Sequence, residues 1–309
     1  MTSPLDPTDP TDPTAPPLDS THAASVAMVF RAAAEATRND PRLRGATIHL
    51  EGAGSIWVTG DLHDHELNFQ RIVKLADLDT LSNSENHANQ LLMQEVIHGP
   101  NQINGMDMSV RMLANCADLK RRYPSRVTML QSNHELAQLN DEYITKEGVN
   151  VVAAFATGLD FLYGDDADDV RSAMQDYLRS LPLAARTPGG VLMTHSLPAP
   201  KCIEHFDKGV LDRELTDEDL APHGSAYELV WGRYHNGKIT QELAEAWGVN
   251  VMLVGHQPAE AGYDPVAHNT LILAADHSRG QALPVNLNTS YTRDQLIDLL
   301  VPLASVTAM

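Results

Sequence analysis

The residues best equipped for chemistry begin with Asp61 and His63, in Ser55-Ile-Trp-Val-Thr-Gly-Asp61-Leu-His63-Asp-His65. A carboxylate and an imidazole two positions apart are oxygen and nitrogen donors of the kind that hold divalent metals. They follow an apolar run, Ile56 to Val58, and Gly60 gives the chain freedom to turn there. Open α/β sheets place their ligands at the carboxyl ends of strands. Asp-x-His alone is a weak motif, so its meaning rests on what else the chain supplies.

Four more apolar runs end in the same kind of side chain. Leu91-Leu-Met93 leads to Glu95, Val127 to Leu130 leads to Asn133 and His134, Val191 to Thr194 leads to His195, and Val251 to Val254 leads to His256. The set mixes nitrogen and oxygen donors without cysteine, which suits Mn, Fe or Zn better than Ca or Mg alone. Clusters on separate strands can be gathered only by the fold, and a metal-assisted hydrolase requires that gathering.

The elements that must position them follow from periodicity. Ala23, Val26, Ala27, Phe30, Ala33 and Ala34 give a helical apolar face that ends by Asn39-Asp-Pro41. Ala46 to Leu50 and Ile56 to Val58 read as two strands, plausible partners in a hairpin around Gly52-Ala-Gly54. Leu67 to Ala76 and Met106 to Tyr123 read as helices, Asn83 to Asn89 as a polar loop, and Asn150 to Leu181 as mostly helical. Thr270 to Ala274 and Ala282 to Leu287 read as strands. A last helix spans about Thr292 to Val301, with Thr292 and Gln295 as a capping box. The acidic run Asp165 to Asp169 lacks the spacing of a calcium loop and reads as a solvated face.

Residues 1–20 are rich in Pro, Thr and Asp and predict a disordered tail. Residues 21–309 read as a single domain, with the irregular, polar segment at about 198–227 as a lid or insertion. From such a lid Lys201 and His205 would reach substrate. With 309 residues and 43% hydrophobic content the chain can bury a sizeable core. Its formal net charge of -19 argues against nucleic acid as a partner. No stretch has the length of a membrane span, and Cys116 and Cys202 are too few for a disulfide framework, which predicts a reduced cytoplasmic protein.

In order, Gly60-Asp-Leu-His63, Gln94-Glu-Val-Ile-His-Gly99, Ser132-Asn-His-Glu135, Thr194-His195 and Gly255-His256 resemble the motifs of the calcineurin-like metallophosphoesterases, most of all their phosphoprotein phosphatase branch. Asp118 to Leu130 and Glu228-Leu-Val-Trp-Gly-Arg233 resemble that branch too. The resemblance covers about Ile56 to Leu287 and implies an α/β fold, a four-layer αββα sandwich. It implies two divalent metal ions: Asp61 and His63 on the first, Glu95 bridging, and Asn133, His195 and His256 on the second. His134 would be the general acid, Arg233 would hold phosphate, and a metal-bound hydroxide would attack without a covalent enzyme intermediate. Where the family has Asp, Asp and Arg in its second motif, this chain has Glu95, His98 and Gly99. His98 therefore stands where a carboxylate would support His134, and a protonated His98 would add like charge. Leu136 and Ser132 also depart from the pattern. Asp64 and His65 read as turn residues, with Asp64 capping a helix, or else as groups that orient the ligands. His205, His223 and His235 read as surface or satisfied positions. His277 falls where the family often has a residue near the site.

Three functions fit. The first is a phosphomonoesterase acting on phosphoserine or phosphothreonine in proteins. The second, also implied by the resemblance, is a hydrolase of diadenosine polyphosphates or other small phosphoanhydrides, whose better leaving groups need less protonation. The third is a metal-binding module without catalysis.

Overall fold

Several strands read as unbroken apolar runs because both of their faces are covered. In β4 (Gln90–Gln94), Leu91 and Met93 face one core while Leu92 faces another. The same alternation holds in β9 (Val191–Thr194) and β10 (Val251–Val254). The computed structural model describes residues 16–79, 89–100, 102–146 and 148–308. The expected tail lies mostly outside these residues, as does the loop at Asn83 to Asn89.

The first part of the chain contains α1 (Ala23–Arg38), β1 (Leu43–Arg44), β2 (Thr47–His49), β3 (Ser55–Asp61), α2 (Glu66–Ala76), β4, α3 (Val110–Arg122), β5 (Val127–Met129) and α4 (Asn133–Asn140). Next come β6 (Thr145–Lys146), β7 (Val149–Asn150), α5 (Val151–Tyr163), α6 (Ala167–Ser180), β8 (Ala184–Arg186) and β9. The rest is α7 (Asp217–Leu220), α8 (Ser225–Trp231), α9 (Gly237–Trp247), β10, β11 (Tyr263–Ala267), β12 (Thr270–Leu273), β13 (Gln281–Asn286), α10 (Arg293–Ile297) and β14 (Val301–Pro302).

Two sheets carry the architecture, a seven-stranded one ordered β1-β2-β8-β9-β10-β12-β11 and a five-stranded one ordered β14-β13-β3-β4-β5. Ile56, Val58 and Leu92 of the smaller sheet pack against Val191, Met193, Val251 and Leu253 of the larger. Helices α1, α3 and α6 cover the outer face of the smaller sheet, with Phe30 stacked on Tyr177 at 6.0 Å. Helices α8 and α9 cover the larger. This is the four-layer αββα sandwich. Truncating a fully buried residue such as Leu92 to Ala would cost about 2–5 kcal/mol.

The parallel run β3-β4-β5, crossed by α2 and α3, aligns three carboxyl ends, and β9 and β10, also parallel, align two more. The sheets meet where Asp61 bridges to Ala274, whose neighbour Ala275 donates its N–H to the Asp61 carbonyl at 2.9 Å.

Four local expectations change. The strands expected as a hairpin belong to different sheets: β2 pairs with β8, and β3 with β4 and β13. The last helix is only Arg293–Ile297, with its Thr292 capping box intact, and Val301–Pro302 become an edge strand beside β13. Helix α3 starts at Val110 rather than Met106, because Asp107 caps the turn before it by accepting the Ser109 N–H at 2.8 Å. Gly60 serves close approach rather than turning: a Cβ there would stand 1.8 Å from the Leu273 carbonyl oxygen on the facing sheet.

Candidate active site

The structure brings Asp61, His63, Glu95, Asn133, His134, Arg233 and His256 to the wall of one cleft, with His195 buried directly beneath. His63, Glu95, His98 and His256 all have left-handed backbone, φ 42, 45, 60 and 66. Non-glycine residues adopt it at a cost and keep it where the surroundings demand it, a signature of functional sites.

Each ligand-type side chain is held from behind. The His63 Nδ1–H donates to the Ile97 carbonyl at 3.0 Å, which turns Nε2 towards Glu95, 3.8 Å away. Asp61 accepts the backbone N–H of His256. Gln94 donates through Nε2 to the Thr59 carbonyl at 3.0 Å, so its Oε1 faces His195 Nδ1 at 2.9 Å and must accept from it. The lone pair of His195 Nε2 then faces Asn133 Oδ1, also an acceptor, at 2.7 Å. His256 Nδ1 is 2.9 Å from the same oxygen. Glu135 is fully buried and ties the second block to the third, accepting the Val96 and Ile97 N–H groups on Oε1 and the Ser132 hydroxyl on Oε2. Ser132, which replaces the family's glycine, is thus the N-cap of α4.

The electrostatics suit cations. Burial, aided by the Asp61 charge, holds Glu95 well above the usual carboxylate range, and burial lifts Asp61 to about 6. Burial lowers His63 to about 4 and His256 to about 3, and holds His134 and His195 well below their ordinary value. Neutral imidazoles present lone pairs, the form that binds metal. Glu95 Oε2 is buried without a hydrogen-bond partner. Ligand atoms of His63, Glu95 and His134 lie within 4.8 Å of one another, as do those of Glu95, His195 and His256. Glu95 belongs to both groups. The donor chemistry and the unpartnered oxygen fit divalent metals.

His98 is fully buried, with Nδ1 2.8 Å from Asp107 Oδ2. Its ring lies 5.2 Å from that of His134. Arg233 follows Trp231 and Gly232; a Cβ at Gly232 would be 1.8 Å from the Leu197 carbonyl, so only glycine lets this turn lie against the strand end. The Arg233 Nε–H donates to His256 Nε2 at 2.9 Å.

Other expectations resolve as follows. The N-cap of α2 is His65, whose Nδ1 accepts the Asn68 N–H at 3.2 Å, rather than Asp64. His277 and Asp276 line the cleft, and His277 Nε2–H donates to the Ala259 carbonyl at 3.0 Å. His235 is buried and satisfied by the Leu197 carbonyl at 2.8 Å, while His205 and His223 are exposed. The cleft is lined from Ile144-Thr145-Lys146 and from 257–260, and no residue of 198–227 lines it. That segment instead buries Phe206, Val210, Leu211 and Leu220 against the larger sheet's helices. Lys146, Gln94 and Asp107 were missed by motif reading. Lys146 comes from a short hairpin with no periodic signal. Gln94 sits in a position the motif assigns to glycine. Asp107 reaches the site only through the turn before α3.

Two sheets between helices, with this donor set at their strand ends, are the arrangement that the resemblance to metallophosphoesterases implies. No family model matches the chain. It is 25% identical over 233 residues to a probable serine/threonine-protein phosphatase of Encephalitozoon cuniculi, an alignment that covers 70% of this chain and 45% of that protein. The chain thus spans less than half the length of this curated relative. Among solved structures it resembles a serine/threonine phosphatase of Saccharomyces cerevisiae with similarity to human phosphatase PP5, with TM-score 0.61 and 15% identity over 85% of this chain and 82% of that one. A cold-active protein-tyrosine phosphatase of a Shewanella species superposes with TM-score 0.54 and 17% identity over 82% and 80% of the two chains. The likeness to calcineurin-like phosphoesterases, and to their serine/threonine phosphatase branch, therefore holds in sequence and in fold. Among the described residues no helix is long and apolar enough to cross a membrane.

Proposed function

We propose that this chain is a metal-dependent phosphoesterase of the serine/threonine phosphatase type, which hydrolyses phosphomonoesters. The observation that carries this reading is the meeting of two acceptors, His195 Nε2 and Asn133 Oδ1, at 2.7 Å beside the buried, unpartnered Glu95 Oε2. Lone pairs converging in a dry site call for a cation between them.

Two divalent ions, Mn, Fe or Zn, are the cofactors of this reading. Asp61 and His63 would hold one, Asn133, His195 and His256 the other, and Glu95 both. When bound, such ions lower the pKa of water and neutralise phosphoryl charge. The chain's own residues do the rest. Arg233 and Lys146, lining the same cleft, would bind the phosphate oxygens. Lys146 takes the place of the arginine that the second motif lacks, with its ammonium near the His98 carbonyl at 3.4 Å. His134, with Nε2 3.4 Å from Glu95 Oε1, would carry the proton to the leaving-group oxygen from that nitrogen. His256 Nε2 accepts from Arg233 Nε–H at 2.9 Å. Were Nδ1 to serve as a ligand, the ring's proton would move to Nε2, which could then no longer accept from Arg233 and would leave that guanidinium for substrate.

Phosphoserine or phosphothreonine in proteins is the preferred substrate, in keeping with the relatives' names, and the two free cysteines accord with a reducing, cytoplasmic location. The test is hydrolysis of an aryl phosphate with added manganese by the wild type, Asp61→Asn and His256→Ala. Turnover by the wild type with a loss of roughly 100-fold or more in both variants is expected. Equal rates in all three would sink the proposal. Relative turnover of a phosphopeptide and a dinucleotide polyphosphate then decides the substrate class.

A further inference from the structure

The second motif departs from its family at His98, yet the fold surrounds this residue with unusual care. His98 Nδ1 lies 2.8 Å from Asp107 Oδ2, and both residues are buried. The other oxygen of Asp107 accepts the Ser109 N–H at 2.8 Å, and the Ser109 hydroxyl accepts the His98 N–H at 3.0 Å. The backbone of Asp107 is pinned too. Its N–H donates to the Ala154 carbonyl at 3.0 Å, and a Cβ on Gly158 of α5 would stand 2.0 Å from its carbonyl oxygen. Phe155 closes the His98 ring edge-on at 5.5 Å.

A carboxylate on Nδ1 fixes the proton there and leaves Nε2 as a lone pair. That Nε2 is buried with no hydrogen-bond partner. The ring of His134 is centred 5.2 Å away, and its Nδ1 is likewise buried with no partner. Centroids about 5 Å apart suit two imidazoles joined by one N–H···N bond, each ring adding a little over 1 Å to a bond of about 3 Å. The two nitrogens do not meet hydrogen-bond geometry with each other in the structure, but, on neighbouring rings with no other partner, one an acceptor and the other able to carry hydrogen, they complement each other.

We propose that Asp107, acting through His98, is a positioning pair for His134: it presents the His98 Nε2 lone pair to the His134 Nδ1–H and so keeps His134 Nε2 for the cleft. This rests on the phosphatase reading for its catalytic meaning. The pair transmits a carboxylate's preference across one imidazole: when His134 takes up a second proton on Nε2, the His98 lone pair holds the Nδ1–H of that imidazolium, and the Nε2 proton is the one given to the leaving-group oxygen. His98 then opposes His134 with an acceptor, not with the like charge that its side-chain type alone suggests.

The test has two readouts on the full chain. In metal-free protein, nitrogen-15 NMR of the histidine rings should show His98 protonated on Nδ1 and His134 on Nδ1, the latter proton shifted downfield. Asp107→Asn should move both ring signals. In manganese-loaded protein, Asp107→Asn should lower kcat about 100-fold on phenyl phosphate, whose leaving group needs a proton. On 2,4-dinitrophenyl phosphate it should lower kcat by less than about threefold, with KM unchanged on both. Equal losses on the two esters, no loss on either, or a wild-type His98 protonated on Nε2 would overturn the proposal. A wild type that hydrolyses neither ester, with the predicted tautomers in place, would refute the phosphatase reading and leave the hydrogen-bonded pair standing.

Discussion

The carboxylate of Asp61 accepts the backbone N–H of His256, 3.0 and 2.9 Å from its two oxygens, so the first and last site motifs touch directly. The contact exists because residue 255 is glycine: a Cβ there would lie 2.2 Å from Asp61 Oδ1. Gly255→Ala should therefore push the carboxylate aside while the backbone stays. Thermal unfolding of the metal-free protein should shift little, on the order of 1 kcal/mol or less, while manganese affinity falls at least tenfold by calorimetry.

Gly60→Ala should behave in the opposite way. The clashing atom is a backbone oxygen, Leu273 O at 1.8 Å, which cannot rotate away. A stability loss of about 1–3 kcal/mol or more is expected from urea unfolding.

Gln94 fixes the tautomer of His195, and Gln94→Leu keeps its bulk but removes the acceptor. Metal affinity should fall about 10- to 100-fold, as for other partners that orient ligands. Competition with a chelating dye measures this, and circular dichroism should be unchanged.

Lys146→Ala and Arg233→Ala should each lower kcat/KM by about 10- to 100-fold through lost charge-assisted hydrogen bonds to phosphate, without changing metal stoichiometry. Steady-state kinetics with metal analysis separates the two effects.

The metal-free protein should lose stability as pH rises above neutrality. Burial raises Asp61 from 3.8 to about 6, Asp64 and Glu135 to about 7, and Glu95 well above its usual range. A carboxyl whose folded pKa is raised keeps its proton after the unfolded chain has lost it. Its contribution is full below the unfolded value and is lost as pH climbs through the folded one. The lowered histidines His63, His134, His195 and His256 act oppositely, mainly below about pH 7, where the imidazoles of the unfolded chain take up protons and the buried ones do not. The loss from Asp61 is complete by about pH 6 and those from Asp64 and Glu135 by about pH 7, so above neutrality the slope comes mainly from Glu95, on the order of 1 kcal/mol per pH unit. Urea midpoints in a chelator should fall above neutrality, and excess manganese should reverse the slope, because ligands bind metal deprotonated.

The sequence by itself determined the order of the ligand blocks and the strands that deliver them. An apolar run of β-branched and aliphatic residues that ends in a donor is a local pattern, and β9 and β10 appear where periodicity puts them. Asp61, His63, Asn133, His195 and His256 could be picked out as candidates for the same reason, and the fold brings them together. Tertiary structure decided what no local pattern encodes. Sheet assignment turned an expected hairpin into β2 and β3 on opposite sheets, because pairing depends on distant partners rather than on the loop between them. The roles of the glycines changed for a similar reason: Gly60 and Gly255 are required by atoms on other strands, not by their own turns. Lys146, Gln94 and Asp107 join the site only through space. Asp107 shows the difference most plainly. The sequence registers a missing carboxylate at His98, and only the folded chain places one 2.8 Å behind it, because burial forces an imidazole nitrogen to find a partner wherever the fold brings one.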